Sequence, residues 1–182
     1  MKPTNQSSDA TPLLFIGGIG RSGTTIFELS LGTVGRAVSL GEVTHLWQRS
    51  LKDDELCGCG QRFSQCSFWQ EVGDRAFGGW RHVEADRVLA LKRNVDRTLR
   101  TPQLALGIGR RSWLRDARVY ASYYSRLYRA AREVSGCPVV VDSSKQASLP
   151  YVLRYADDTD LRLVHYVMDS RAVAYSWTKT VV

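Results

Sequence analysis

Apolar residues along this chain fall into short unbroken runs and into a helical rhythm, in alternation. The runs are Leu13, Leu14, Phe15 and Ile16; Val139, Val140 and Val141; and Leu161, Leu163, Val164, Tyr166 and Val167. Short runs rich in β-branched and aromatic residues predict buried strands, and valine runs suit a central parallel strand. A further short strand is expected over residues 37–40. Helical spacing links Val88, Leu91, Val95 and Leu99, and also Tyr120, Tyr124, Leu127, Tyr128, Ala131 and Val134, the second series closed by Gly136. Residues 101–112 read as the loop between these two helices. Strands separated by helices predict an α/β fold, three-layered, with a mainly parallel sheet.

The segment after the first strand carries the chemistry. Gly17, Gly18 and Gly20 lead into Arg21-Ser22-Gly23-Thr24-Thr25 and then into helix-compatible residues. A strand, a glycine turn and a helix start together make an anion site. The N–H groups of the first helical turn lack intrahelical partners, and the helix dipole favours negative charge. Arg21 adds a charge, and Ser22, Thr24 and Thr25 add hydroxyls, so a phosphate is expected here. Three kinds of loop compete. The nucleoside triphosphatase loop has the glycine spacing of Gly18 to Thr25, but Thr24 stands where its lysine must be. The dinucleotide fingerprint is met by Gly18, Gly20 and Gly23, with Glu42 near the place of a ribose-binding acid; that reading implies an NAD(P)-binding oxidoreductase. In the third, Arg21 to Thr25 resemble the [KR]-S-G-[TS]-[TS] loop of the sulfotransferase family, which holds the 5′-phosphate of 3′-phosphoadenosine 5′-phosphosulfate (PAPS).

A second stretch separates the three. The run from Leu161 ends in Asp169-Ser170, a plausible helix start with either residue as N-cap. It resembles the strand and R-D-P-R-x-V-A-x-S motif with which the same family binds the 3′-phosphate: Asp169, Arg171, Val173, Ala174 and Ser176 match, while Met168 and Ser170 stand in place of an arginine and a proline. Neither rival loop calls for this second motif. Pro138 to Lys145, a valine strand ending in Asp142-Ser143-Ser144-Lys145, resembles the D-S-S-K-Q stretch of bacterial members, with Leu149 and Leu153 on the helix beyond it. The resemblance covers most of the chain. It implies a PAPS site formed by Gly20, Arg21, Ser22, Gly23, Thr24 and Thr25 together with Arg171 and Ser176. It implies Lys145 beside the sulfonate or the bridging oxygen, and Glu42, in a G-E segment, as the catalytic base, with His45 as runner-up. No metal is needed by such chemistry. His165, inside an apolar run, is expected to be a core histidine, and His82 lies in a polar connector. Tyr120, Tyr123 and Trp113 are expected as core first and acceptor-pocket lining second.

Composition narrows the setting. The chain has 182 residues, net charge +7 and a hydrophobic fraction of 43%, which suits one globular domain and an anionic ligand. Its arginines are spread rather than blocked, so nucleic acid is not expected as a partner; a small-molecule or saccharide acceptor is. No apolar run reaches the length of a membrane span, and the first residues lack a signal-peptide hydrophobic region, so no membrane partner and a cytoplasmic location are expected. Residues 1–12 read as a flexible tail, and residues 13–182 as a sulfotransferase domain lacking the later segment that in the family closes over the adenosine. The alternative is a truncated or degenerate nucleotide-binding protein without turnover. Three of the four cysteines, Cys57, Cys59 and Cys66, lie close together in sequence. A fourth ligand and paired spacing for zinc are missing, so free packing thiols are expected ahead of a local disulfide or a metal. A similar C-G-C-G…C-x-F-W segment occurs in the bacterial sulfotransferases this chain resembles.

Overall fold

The computed structural model describes residues 10–33 and 35–179. Its elements run β1 (Thr11–Gly18), α1 (Thr24–Thr33), β2 (Ala37–Ser39), α2 (Ser67–Phe77), α3 (Ala85–Val95), α4 (Thr101–Leu106), α5 (Arg111–Ser135), β3 (Val139–Lys145), α6 (Leu149–Leu153), β4 (Thr159–Tyr166) and α7 (Ser170–Thr178), with short 3-10 and π turns between. The four strands form one parallel sheet in the order β2-β3-β1-β4. The fold is α/β.

Side-chain alternation shows how the layers stack. Leu13 lies beside Val140, and Phe15 beside Asp142. Leu13, Phe15 and Val140 share the main core with Ala117, Tyr120, Ala121, Tyr124, Leu127 and Tyr128 of α5. Asp142 accepts a hydrogen bond from Tyr128 on that side (2.5 Å). Ser143, the next residue, points the other way and donates to Glu28 of α1. A period of two puts successive side chains on opposite faces, so α5 and α1 cover opposite sides of the sheet. The hydroxyls inside the α5 layer are paired: Tyr120 with Tyr124 (2.9 Å), Trp47 Nε1 donating to Tyr124 (3.1 Å), and Tyr120 donating to Asp96 (3.3 Å). Such pairing is what lets polar atoms sit in a core.

This order also fixes where a ligand would sit. The chain leaves β1 towards β2 by way of α1, and leaves β3 in the opposite sense towards β4 by way of α6. Adjacent strands whose connections leave towards opposite faces of the sheet open a crevice at their carboxyl ends, here between β1 and β3.

Several sequence expectations are corrected. β1 takes in Thr11 and Pro12, which the sequence pattern places in the tail; Thr11 is buried and its N–H donates to Asp158 (2.9 Å), and proline is tolerated near a strand start. Residues 1–9, the rest of that tail, and the end of the expected domain at 182 lie outside the described residues. The connector at 101–112 contains α4, started by Pro102 and ended by left-handed Gly107, with Leu104 buried. Its six residues are too few to show a period. α3 ends at Val95, so Leu99 lies beyond it and is exposed. β4 is not buried. Among the described residues it pairs only with β1, and Leu163, His165 and Val167 are exposed, so His165 is not a core histidine. No helix among the described residues is long and apolar enough to cross a membrane.

Candidate functional site

The turn between β1 and α1 is shaped by close approach. A side chain at Gly18 would put its Cβ 2.9 Å from the Tyr166 carbonyl of β4, so only glycine fits. Arg21 and Gly23 then take left-handed conformations (φ 64° and 88°), and α1 begins at Thr24. Ser22 is buried and donates to the Ile19 carbonyl (2.7 Å), which closes the turn. Its hydroxyl proton is therefore used within the turn, and the Thr24 side chain is buried as well. Thr25 is exposed. Among the described residues, the backbone N–H groups from Gly20 to Thr25 have no hydrogen-bond acceptor. That is the arrangement an anion at a helix N-terminus uses.

The second motif adjoins this turn. α7 begins after Asp169, whose carboxylate accepts the Arg171 N–H (2.8 Å) as an N-cap. Two turns into α7, Ser176 accepts a hydrogen bond from Arg21 Nε (2.9 Å), and the Trp177 ring lies over Gly20. The structure thus brings together two residues 155 positions apart. Arg171 does not join them. Its guanidinium folds back onto Asp169 (2.8 Å) and is 90% exposed. Met168 is exposed too.

The third group sits at the end of β3. Between Phe15 and Gly17 the register of β1 against β3 shifts, with one additional residue on β3, so that Gly17 comes level with Lys145. Such a bulge re-aims the next side chain along the strand. Lys145 has φ 61°, and its Nζ meets Glu42 Oε1 at 2.5 Å. The other oxygen of Glu42 lies 3.5 Å from His45 Nε2. Glu42, Lys145 and His45, expected as catalytic residues, therefore form one half-exposed cluster. Burial and the nearby Arg49 lower the pKa of His45, which favours the neutral imidazole.

One residue that sequence reasoning missed holds this cluster in place. Glu28, buried in α1, accepts the Gly41 N–H (2.8 Å) and hydroxyl bonds from Ser39 and Ser143. It thereby fixes the peptide just before Glu42 to both β2 and β3. Thr44 N–H donates to Ser144 Oγ (3.0 Å), fixing the turn just after it. The available signal was a lone acid in the otherwise uncharged stretch Ile26 to Leu31.

The remaining candidates lie elsewhere. Tyr120 is fully buried, Tyr123 packs on Trp47 and Phe77, and Trp113 donates to the Asn94 carbonyl, so the aromatic stripe is core packing. His82 is exposed beside Arg81. The thiols of Cys57, Cys59 and Cys66 lie within 4.8 Å of one another.

Comparison with known proteins finds no matching family model, no matching curated relative and no matching solved structure.

Proposed function

We propose that this chain is a PAPS-dependent sulfotransferase domain that transfers a sulfonate to a hydroxyl or amine of a small molecule or saccharide. The observation that carries the reading is the Arg21–Ser176 hydrogen bond. It joins the turn suited to a 5′-phosphate to the residue suited to a 3′-phosphate. A ligand with two separate phosphates accounts for both halves.

In this reading the N–H groups of residues 20–25 and the Arg21 guanidinium bind the 5′-phosphate, and Ser176 contacts the 3′-phosphate. Glu42 takes the proton of the acceptor, whose oxygen or nitrogen attacks sulfur. The bond from sulfur to the 5′-phosphate oxygen breaks, and its electron pair leaves on the 3′,5′-bisphosphate. Lys145, on the strand beside the one that ends in the glycine turn, stabilises that charge. Positioning and fixed donors supply most of the acceleration in transfers of this kind. A cytoplasmic site of action, where PAPS is made, goes with this reading.

Strand order favours this over the dinucleotide reading. In the dinucleotide fold the ribose-binding acid comes after a strand adjacent to the glycine-loop strand. Here β3 separates β1 from β2, and Glu42 after β2 is tied to Lys145 of β3.

The test is calorimetric titration of the chain with 3′-phosphoadenosine 5′-phosphate, with ATP and NADP in parallel. Micromolar or tighter binding of the bisphosphate alone supports the proposal. Preference for NADP or ATP, or no binding by the folded chain, overturns it.

A further inference from the structure

The cysteine segment folds into a small hairpin before α2. Leu56 and Arg62 form an antiparallel bridge. The Cys57 N–H donates to the Gln61 carbonyl (2.7 Å) and the Gly60 N–H to the Cys57 carbonyl (2.8 Å), with Gly60 at φ 84°. Asp54 accepts the Ser64 N–H (2.8 Å) and hydroxyl (2.9 Å), which clamps the base of the hairpin. Phe63, just inside, stacks against Trp69 and Trp80. The hairpin is therefore held in shape without its thiols.

Within it the three sulfurs converge. Cys66 is buried at the start of α2, Cys57 is half-buried, and Cys59 faces solvent. All three Sγ atoms lie within 4.8 Å of one another, and those of Cys59 and Cys66 are 3.7 Å apart. Sulfurs bound about 2.3 Å from a tetrahedral zinc ion stand about 3.8 Å apart.

We propose that Cys57, Cys59 and Cys66 form a zinc site with three thiolate ligands and a water in the fourth position. Sequence spacing argues against a metal, because paired spacing and a fourth ligand are missing; the hairpin supplies the convergence that spacing does not. Three sulfur ligands suit a soft or borderline ion such as zinc. The group contains no histidine or carboxylate, and the exposed side at Cys59 gives both the entry path and room for water. Coordination releases the thiol protons to solvent, so affinity rises with pH. The site is independent of the sheet-edge chemistry.

The test uses the full chain, stripped with a chelator and kept under a non-thiol reductant, titrated with Zn²⁺ against a chromophoric competitor. Co²⁺ serves as a spectroscopic probe. One equivalent of tight binding is expected, with thiolate-to-cobalt charge-transfer absorption. Cys59→Ser, at an exposed position, should lower affinity by more than about 100-fold, because it removes a ligand rather than a ligand's support. Cys137→Ser, outside the cluster, should leave affinity unchanged. A reduced, folded chain that takes up no Zn²⁺, a cobalt complex without the thiolate band, or wild-type affinity in Cys59→Ser would each overturn the proposal.

Discussion

Asp142 gives this protein an unusual pH dependence of stability. The residue is fully buried in β3, with one oxygen accepting from Tyr128 (2.5 Å) and the other from the Ser144 N–H (2.7 Å). Those bonds favour the carboxylate, but burial outweighs them and pushes its pKa from 3.8 up to about 6. The folded chain therefore keeps this proton to higher pH than the unfolded chain does. The group's contribution to stability is greatest below the unfolded value, falls as pH rises through the interval from about 4 to about 6, and is flat above. A separation of about two pH units corresponds to about 3 kcal/mol. Asp142→Asn keeps the shape, still accepts from Ser144, can donate to the Tyr128 oxygen, and does not titrate. Urea unfolding of both proteins across this range should show the stability of the wild type, minus that of the variant, falling by about 2 kcal/mol from pH ~4 to pH ~7, the rest being lost below pH ~4. Asp54, Asp86 and Asp169, held low by hydrogen bonds from Ser64, Lys52 and Arg171, act in the opposite sense. They are present in both proteins and cancel. A difference that does not change with pH would refute the assignment.

Three further outcomes test the site. Arg21→Ala should weaken binding of 3′-phosphoadenosine 5′-phosphate by about 10- to 100-fold, the worth of one charge-assisted bond; unchanged affinity by calorimetry would remove Arg21 from the site. Glu42→Gln should leave that affinity intact and slow sulfonate transfer by about 10²- to 10⁴-fold in a single-turnover assay, whereas wild-type turnover would move the base to His45. Glu28→Ala strands the Gly41 N–H and two serine hydroxyls. It should cost about 2–4 kcal/mol in urea unfolding, and a loss below about 1 kcal/mol would show that these donors find other partners.

How much of this architecture is legible in the sequence depends on how local each feature is. β1 and β3 can be read because strands inside a parallel sheet need apolar residues on both faces, and their runs are unbroken. The run of β4 differs, since Arg162 and His165 interrupt it; both are exposed on a strand that pairs only with β1 among the described residues, so the edge position had a local sign that the expectation of a buried strand passed over. The meeting of Arg21 with Ser176, and of Glu42 with Lys145, can be expected only through a family resemblance, since each pair is far apart in the chain. Glu28 cannot be placed at all. A lone acid in a helix acquires meaning only when two strands bring their serines to it. The cysteines are the opposite case: their proximity in sequence is plain, but the convergence of their sulfurs depends on a hairpin held by Asp54 and Ser64.

The backbone itself separates the residues that serve function from those that serve stability. Arg21, Asp54 and Lys145 are the described non-glycine residues with left-handed φ, a conformation that costs an L-residue on the order of 1–2 kcal/mol and that glycine adopts freely. Asp54 recovers the cost locally, through two bonds to Ser64 and one that its carbonyl accepts from Arg62. Arg21 and Lys145 do not. Each makes one part-exposed polar contact, to Ser176 and to Glu42, and a part-exposed ion pair contributes only about 0–1 kcal/mol. Glycine at either position would leave the fold at least as stable. What the strain retains is a positive charge on each side of the crevice between β1 and β3, the place that the proposed function gives to the two phosphates of its cofactor.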